Sequence, residues 1–324
     1  MLEKRPLIID CDPGIDDFVA ILLANSCGQF DIRAITTLGG NVLPQYTARN
    51  AKNIAAIIGL DCPIGRGAQK PLMHEIDTAD YIHGVDGIGG VELPESDRPF
   101  DERPAWDIIY DEACKFPGQL EVAAIGPLTN IAILFRKYPE VVRLIKKLHI
   151  MGGSTTTGNH SPYGEFNIWE DVLAADIVFN SGVELRMVGL DCTRQGQCDK
   201  QVWHQGLQKS GLVISKLREM MAFDPTQTEL YRQHRGIKPS KDVENYVPGL
   251  PDAVTMAGMI DEDLLQCQKY YVMVETTGPL TYGWTMVDWN MTTRKPFNCE
   301  VALKVDTDRI TELYRQMFDF YEGK

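Results

Sequence analysis

The sequence predicts an α/β protein built on a mainly parallel sheet with helices on both faces. Two observations carry that prediction. Short apolar runs alternate along the chain with amphipathic stretches of helical period, the pattern of successive βαβ units. The first unit is complete within residues 7–24, LIIDCDPGIDDFVAILLA, as an apolar run, a Pro-Gly turn and an amphipathic stretch.

Leu7-Ile8-Ile9 is too short for a helix and suits a buried strand. Pro13-Gly14 marks a tight turn, and Phe18, Ile21, Leu22 and Leu23 give the following helix its buried face. Asp10, Asp12, Asp16 and Asp17 therefore sit between a strand's C-terminal end and a helix N-terminus, where open α/β sheets bind ligands. Capping and dipole roles account for Asp16 and Asp17, and a turn role for Asp12. They do not account for four acids on one turn, because like charges that close repel. No Lys or Arg lies between Arg5 and Arg33, so a bound cation is the economical resolution. Oxygen-only donors select a hard ion, Ca²⁺ or Mg²⁺.

Residues 31–38 read as the second strand, closed by Gly39-Gly40-Asn41, followed by a helix over 46–58 and a short strand at Pro63-Ile64. Residues 71–104 read as a long polar loop holding His83-Gly84-Val85-Asp86-Gly87-Ile88-Gly89-Gly90, a composition suited to a lid. A helix over 105–116 and a strand over 120–125 lead to Gly126-Pro127-Leu128-Thr129-Asn130, where Thr129 or Asn130 reads as a helix N-cap. A strand follows at 148–151, then a loop to Gly164, the run Glu165-Phe166-Asn167 and a helix over 171–180. Residues 185–190 read as a strand ending at Asp191, with a structural or metal-supporting role for that acid. Residues 199–236 are helical but broken by Pro225 and Gly236. After a loop over 245–251, Asp252 opens a helix as its N-cap. Strand-like runs at 270–275, 284–289 and 299–305 precede a closing helix over 310–321. No repeat or linker divides the chain, so one domain of 324 residues is expected.

The net charge of −13 and pI near 4.9 argue against nucleic acid or an anionic membrane as the main partner. The eight cysteines form no C-x-x-C pair, which suits free thiols in a reducing cytoplasm. The few residues before the first strand leave no room for a signal peptide, and no apolar run has transmembrane length. A soluble, cytoplasmic protein is expected.

DCDPGIDD after a strand resembles the signature of the nucleoside hydrolase family, enzymes that cleave the N-glycosidic bond of ribonucleosides. His83-Gly84 with Gly87 is similar to the family's H-G-x-x-G loop, and Asn159 with Glu165-Phe166-Asn167 to its N…E-F-N element. The resemblance implies a doubly wound, Rossmann-like sheet, a ribonucleoside substrate, a bound Ca²⁺ and a homo-oligomer, dimer or tetramer. It implies Asp10, Asp17, Asp252 and the backbone carbonyl of Ile125 as metal ligands. Asp12 would be the general base that takes a proton from a calcium-held water, with Asn41 beside it. Asp16 and Asn167 would meet the ribose hydroxyls, Asn159 and Glu165 the 5′ end, His83 the base or the ribose 5′ end, and Tyr231 the base. Asp171-Val172-Leu173-Ala174 stands where the family usually has D-P-E-A, a variation at a helix start. Pro251 stands where many members have a His that protonates the leaving base, and proline has no proton to give. His83, Tyr231 or His234 could replace it, as could stacking on the base or reliance on ribose activation alone. Two other classes remain open. A phosphatase of the D-x-D type fits Pro13-Gly14 and Asp16-Asp17 poorly. A non-catalytic Ca²⁺-dependent nucleoside or sugar binder is favoured by Pro251 and opposed by Asp12.

Overall fold

A computed structural model describes residues 4–235, 247 and 249–324. Gly236, and Asn245, Tyr246 and Pro248 of the loop read over 245–251, lie outside the described residues. The strands are β1 (Arg5–Cys11), β2 (Phe30–Thr37), β3 (Ile64–Arg66), β4 (Asp101–Pro104), β5 (Leu120–Ala124) and β6 (Ile145–Met151). They continue with β7 (Leu185–Val188), β8 (Leu265–Tyr270), β9 (Val272–Val274), β10 (Thr285–Val287) and β11 (Cys299–Val305). Nine of them form one sheet in the order β4-β3-β2-β1-β5-β6-β7-β11-β8, and β9 and β10 form a separate antiparallel pair. Every pairing in the large sheet is parallel except β11 with the edge strand β8.

Strand alternation explains the two cores. Leu7, Ile9 and Cys11 of β1 face one side, packed with helices Ile15–Ser26, Pro251–Ile260 and Thr307–Tyr321. Ile8 and its neighbours Val122 and Leu148 face the other, packed with helices Ala105–Lys115, Thr129–Lys137 and Val172–Phe179. A strand covered on both faces reads as a continuous apolar run, which is why Leu7-Ile8-Ile9 shows no alternation. From β1 the chain steps outward to β4, then returns to β5 on the opposite side of β1. That reversal opens a crevice at the carboxyl ends of β1 and β5.

Several expected elements differ. The polar segment 71–104 holds a one-turn helix, Asp80–His83, and the edge strand β4. β4 has the sequence DERP, which carries no apolar signal, and Pro is tolerated there because the strand lies at a sheet edge. β8 begins at Leu265, before the expected 270–275 run, of which only Val272–Val274 is separate strand. β7 stops at Val188 because Leu190–Thr193 turns into helix. Asp171 caps helix Val172–Phe179 through the Ala174 N–H, as its place at the helix start suggested.

Candidate active site

The acidic cluster lies at the switch between β1 and β5. Asp12 follows β1 directly, and its carboxylate fits between two glycines. A Cβ on Gly40 would stand 2.2 Å from its Oδ2, and one on Gly126 2.5 Å from its Oδ1. Asn41 holds the turn: its N–H donates to Asp12 Oδ2 at 2.6 Å, and its Nδ2 donates to Asp12 O and Asp17 Oδ2, each at 3.1 Å. Asp17 Oδ2 also accepts the Gly14 N–H at 2.8 Å, which ties the helix start to the cluster. Asp10 Oδ1 accepts from Thr36 Oγ1 at 2.6 Å and Asn130 Nδ2 at 2.8 Å.

The other carboxylate oxygens are left over. Asp10 Oδ2, Asp12 Oδ1, Asp16 Oδ1 and Asp17 Oδ1 are buried without a hydrogen-bond partner. Asp252 is not the N-cap of its helix, a place held by Leu250, but the second residue of Pro251–Ile260, and it joins Asp16 and Asp17 so that one oxygen of each falls within 4.8 Å of the others. Burial, reinforced by the neighbouring carboxylates, pushes Asp12 and Asp252 well above the usual carboxylate range and Asp17 up to about 8. Burial alone outweighs two hydrogen bonds at Asp10 and lifts it to about 7. Orphaned, converging, all-oxygen donors fit a hard divalent cation, whose charge reverses this pKa logic.

Of the twelve residues picked out as site residues, eight line one cavity beside the cluster: Asp16, Asn41, His83, Ile125, Asn159, Glu165, Asn167 and Asp252. Asp12 and Asp17 are held against the lining residue Asn41, and Asp10 stands behind them on Thr36 and Asn130. Glu165 caps helix Phe166–Glu170 and accepts three backbone N–H groups, from Gly153, Asn167 and Ile168. Burial still raises it to about 7. Asn167 Nδ2 donates to Ile125 O at 3.0 Å and Met151 O at 3.1 Å. Asn159 Oδ1 accepts the Phe166 N–H. His83 Nδ1 accepts the Ile15 N–H at 3.3 Å and lies 4.0 Å from Asp16 Oδ1. Burial lowers its pKa, which leaves a neutral ring with its proton on Nε2.

Tyr231 packs with Tyr81 and Phe166 instead of lining the cavity, and His234 is exposed, its ring stacked on Tyr81 at 4.7 Å. Neither Thr129 nor Asn130 caps its helix, whose N-cap is Leu128 with no side-chain bond. Thr129 bonds Asp171 and Asn130 bonds Asp10, so tertiary partners have displaced the local role. Asp191 accepts from Thr155 N and Thr156 Oγ1 and so fastens a loop. Sequence reading missed Tyr81, His160 and Arg235 in the cavity wall. Arg235 donates to Asn159 O at 2.5 Å and Tyr81 Oη at 3.1 Å, joining three segments that are distant in the chain.

Residues 7–312 match the profile of the inosine-uridine preferring nucleoside hydrolase family. The chain belongs to this family. A non-specific ribonucleoside hydrolase, RihC, of Salmonella newport is 34% identical over 320 residues, covering 99% of both chains. Among solved structures, a purine-preferring ribonucleoside hydrolase from Gardnerella vaginalis superposes with a TM-score of 0.85 at 30% identity, over 97% of this chain and 98% of that one. A plant nucleoside hydrolase superposes with a TM-score of 0.86 at 28% identity, over 98% of this chain and 99% of that one. The family fold is thus present from end to end. Among the described residues, no helix is long and apolar enough to cross a membrane.

Proposed function

We propose that the protein hydrolyses the N-glycosidic bond of ribonucleosides to ribose and free base, with one bound Ca²⁺. The observation that carries this reading is the set of orphaned, buried carboxylate oxygens beside a cavity lined by hydrogen-bonding groups such as Asn41, Asn159, Glu165 and Asn167, in a chain of this family. Asp17 and Asp252 would hold the cation, with Asp10 through Oδ2 and the Ile125 carbonyl as further donors. Asp16 lines the cavity with its side chain 17% exposed, so it is assigned with Asn167 to the ribose hydroxyls. When bound, the cation supplies a fixed positive charge that orients sugar hydroxyls and makes nearby water more acidic.

The chain's own groups do the rest. Asp12 Oδ2 is held by the Asn41 N–H, so Oδ1 is the oxygen free to accept a proton from the attacking water. Departure of the base leaves an oxocarbenium-like ribose, and the carboxylates of Asp16 and Asp252 stabilise that charge. Asn159 and Glu165 receive the 5′ end. Pro251 lines the cavity and cannot protonate the base. Of the three candidate acids, His83 alone also lines it, so its neutral ring is assigned to stabilise the departing base by an Nε2–H hydrogen bond, the base taking its proton from water. The same reading carries a cytoplasmic homo-oligomer, dimer or tetramer. The test is release of reducing sugar from inosine, adenosine, uridine and cytidine by calcium-loaded protein. Ribose from at least one is expected. Calcium-dependent nucleoside binding with no ribose from any would overturn the reading and favour the non-catalytic binder, the alternative that Pro251 supports.

A further inference from the structure

The sheet face beneath helix Pro251–Ile260 should be apolar throughout, and one row of it is not. On that face Leu7 or Ile9, Ala123, Met151, Val188 and Ala302 belong to the core. Two residues earlier on the same strands, and hence on the same face, stand Arg5, Glu121, His149, Arg186 and Glu300. The register joins them side by side: His149 is paired with Arg186, and Arg186 with Glu300. Such a row is costly to bury unless its members are satisfied.

Its partners show what the row holds. Arg5 Nη2 donates to Met259 O at 2.6 Å, and Arg186 Nη1 donates to Gly258 O at 3.3 Å. These carbonyls end helix Pro251–Ile260, where the last turn leaves acceptors without intrahelical donors. The helix has no basic residue of its own in that turn. Two guanidinium groups from the sheet therefore complement its C-terminal dipole and cap its carbonyls. Each is itself held by a carboxylate: Arg186 Nε by Glu300 at 2.6 Å, and Arg5 Nη1 by Glu121 at 3.2 Å. At the helix's other end, Asp252 faces Asp16 and Asp17.

We propose that Arg5 and Arg186 are positioning residues for Asp252. They clamp the far end of a buried helix and so fix its position along its axis. That position sets where the Asp252 carboxylate lies relative to Asp16 and Asp17. The inference rests on the metal reading above, because the quantity it controls is the fit of the acids around the cation.

The test is calorimetric titration of chelator-stripped protein with calcium chloride. Arg186→Met and Arg5→Met are expected to bind calcium roughly 10- to 100-fold more weakly, the usual effect of losing a group that orients a ligand. Arg186→Lys should recover part of the loss. Lys147→Met is the control: Lys147 pairs with Glu300 in the same row, and no bond from it to the helix is present. It should bind calcium as the parent does. If Arg186→Met does not fold, Arg5→Met carries the test from the edge of the row, where its side chain is 25% exposed. Parent-like affinity in a folded arginine variant, or an equal loss in Lys147→Met, would overturn the proposal while leaving the metal reading intact. A parent protein that takes up no calcium would remove both.

Discussion

Asp12 has its two oxygens in different states, one held at 2.6 Å by Asn41 and one buried without a partner. The proposed division between base and ligand predicts two distinct defects. Asp12→Asn should fold and keep its calcium, yet lose about 10²–10⁴-fold in kcat, the usual weight of a general base. Asp17→Asn should instead need far more calcium to reach full activity. A near-normal kcat in the first variant would remove Asp12 from its role. Asn130 offers a stability test. Its side chain spans Asp10 Oδ1, Thr37 O and the Ala68 N–H. Asn130→Ala should cost about 1–3 kcal/mol, because buried polar partners are left unpaired. Urea unfolding measures this, and an unchanged midpoint would contradict it. These residues also mark how far the sequence could be read. The acids were legible because they crowd one turn. Asn130 was not, because after Gly-Pro at a helix start it carries the signature of a cap, while its partner Asp10 lies 120 residues away.

Elements with their own period were legible, and those held only by neighbours were not. Helix Ile15–Ser26 announces itself by its apolar face, and β5 by five buried residues in succession. β4 and the one-turn helix Asp80–His83 have no such pattern. They exist because the 71–104 strap is fastened to other elements: the Leu72 N–H donates to Asp171 Oδ2, and the Asp77 N–H donates to Glu170 Oε1 at 3.0 Å. Glu170 is fully buried, with its second oxygen unpartnered, and burial raises it to about 8. A carboxyl raised on folding binds its proton more tightly in the folded state. Its contribution is therefore whole below its unfolded value of 4.5 and is lost as pH rises towards about 8. The slope is at most about 1.4 kcal/mol per pH unit for one proton. Glu170→Gln keeps an acceptor for the Asp77 N–H and removes the titration. Its stability relative to the parent should rise between pH 5 and pH 8, roughly along that slope. Urea unfolding at several pH values with calcium saturating is the measurement. A difference that does not vary with pH would show that Glu170 is not the titrating group.

At the scale of the whole molecule, the alternation of strand and helix was enough to predict a parallel sheet, but not its order. The return of the chain from β4 to β5 across β1 is a long-range choice with no local mark. That choice places Asp12 and Ile125, 113 residues apart by their numbers, at the ends of adjacent strands. Asp252 reaches the same crevice from a helix near the other end of the chain. The fold thus collects acids from distant segments into one buried cluster, in a protein already carrying a net charge of −13. Without a cation, burial and mutual repulsion both oppose ionisation, so keeping the cluster charged costs stability. The native state should therefore gain stability from the metal by mass action. At a hundredfold excess of free calcium over Kd the gain is about 2.7 kcal/mol, or about 5 °C in Tm. The measurement is thermal unfolding of chelator-stripped protein during a calcium titration at fixed ionic strength. Tm should rise steadily with the logarithm of calcium once the site is filled, and Asp17→Asn should need more calcium for the same rise. Magnesium, smaller and reluctant to shed water, should be less effective at equal concentration. A Tm indifferent to calcium in the parent would mean that the cluster holds its protons instead of a metal.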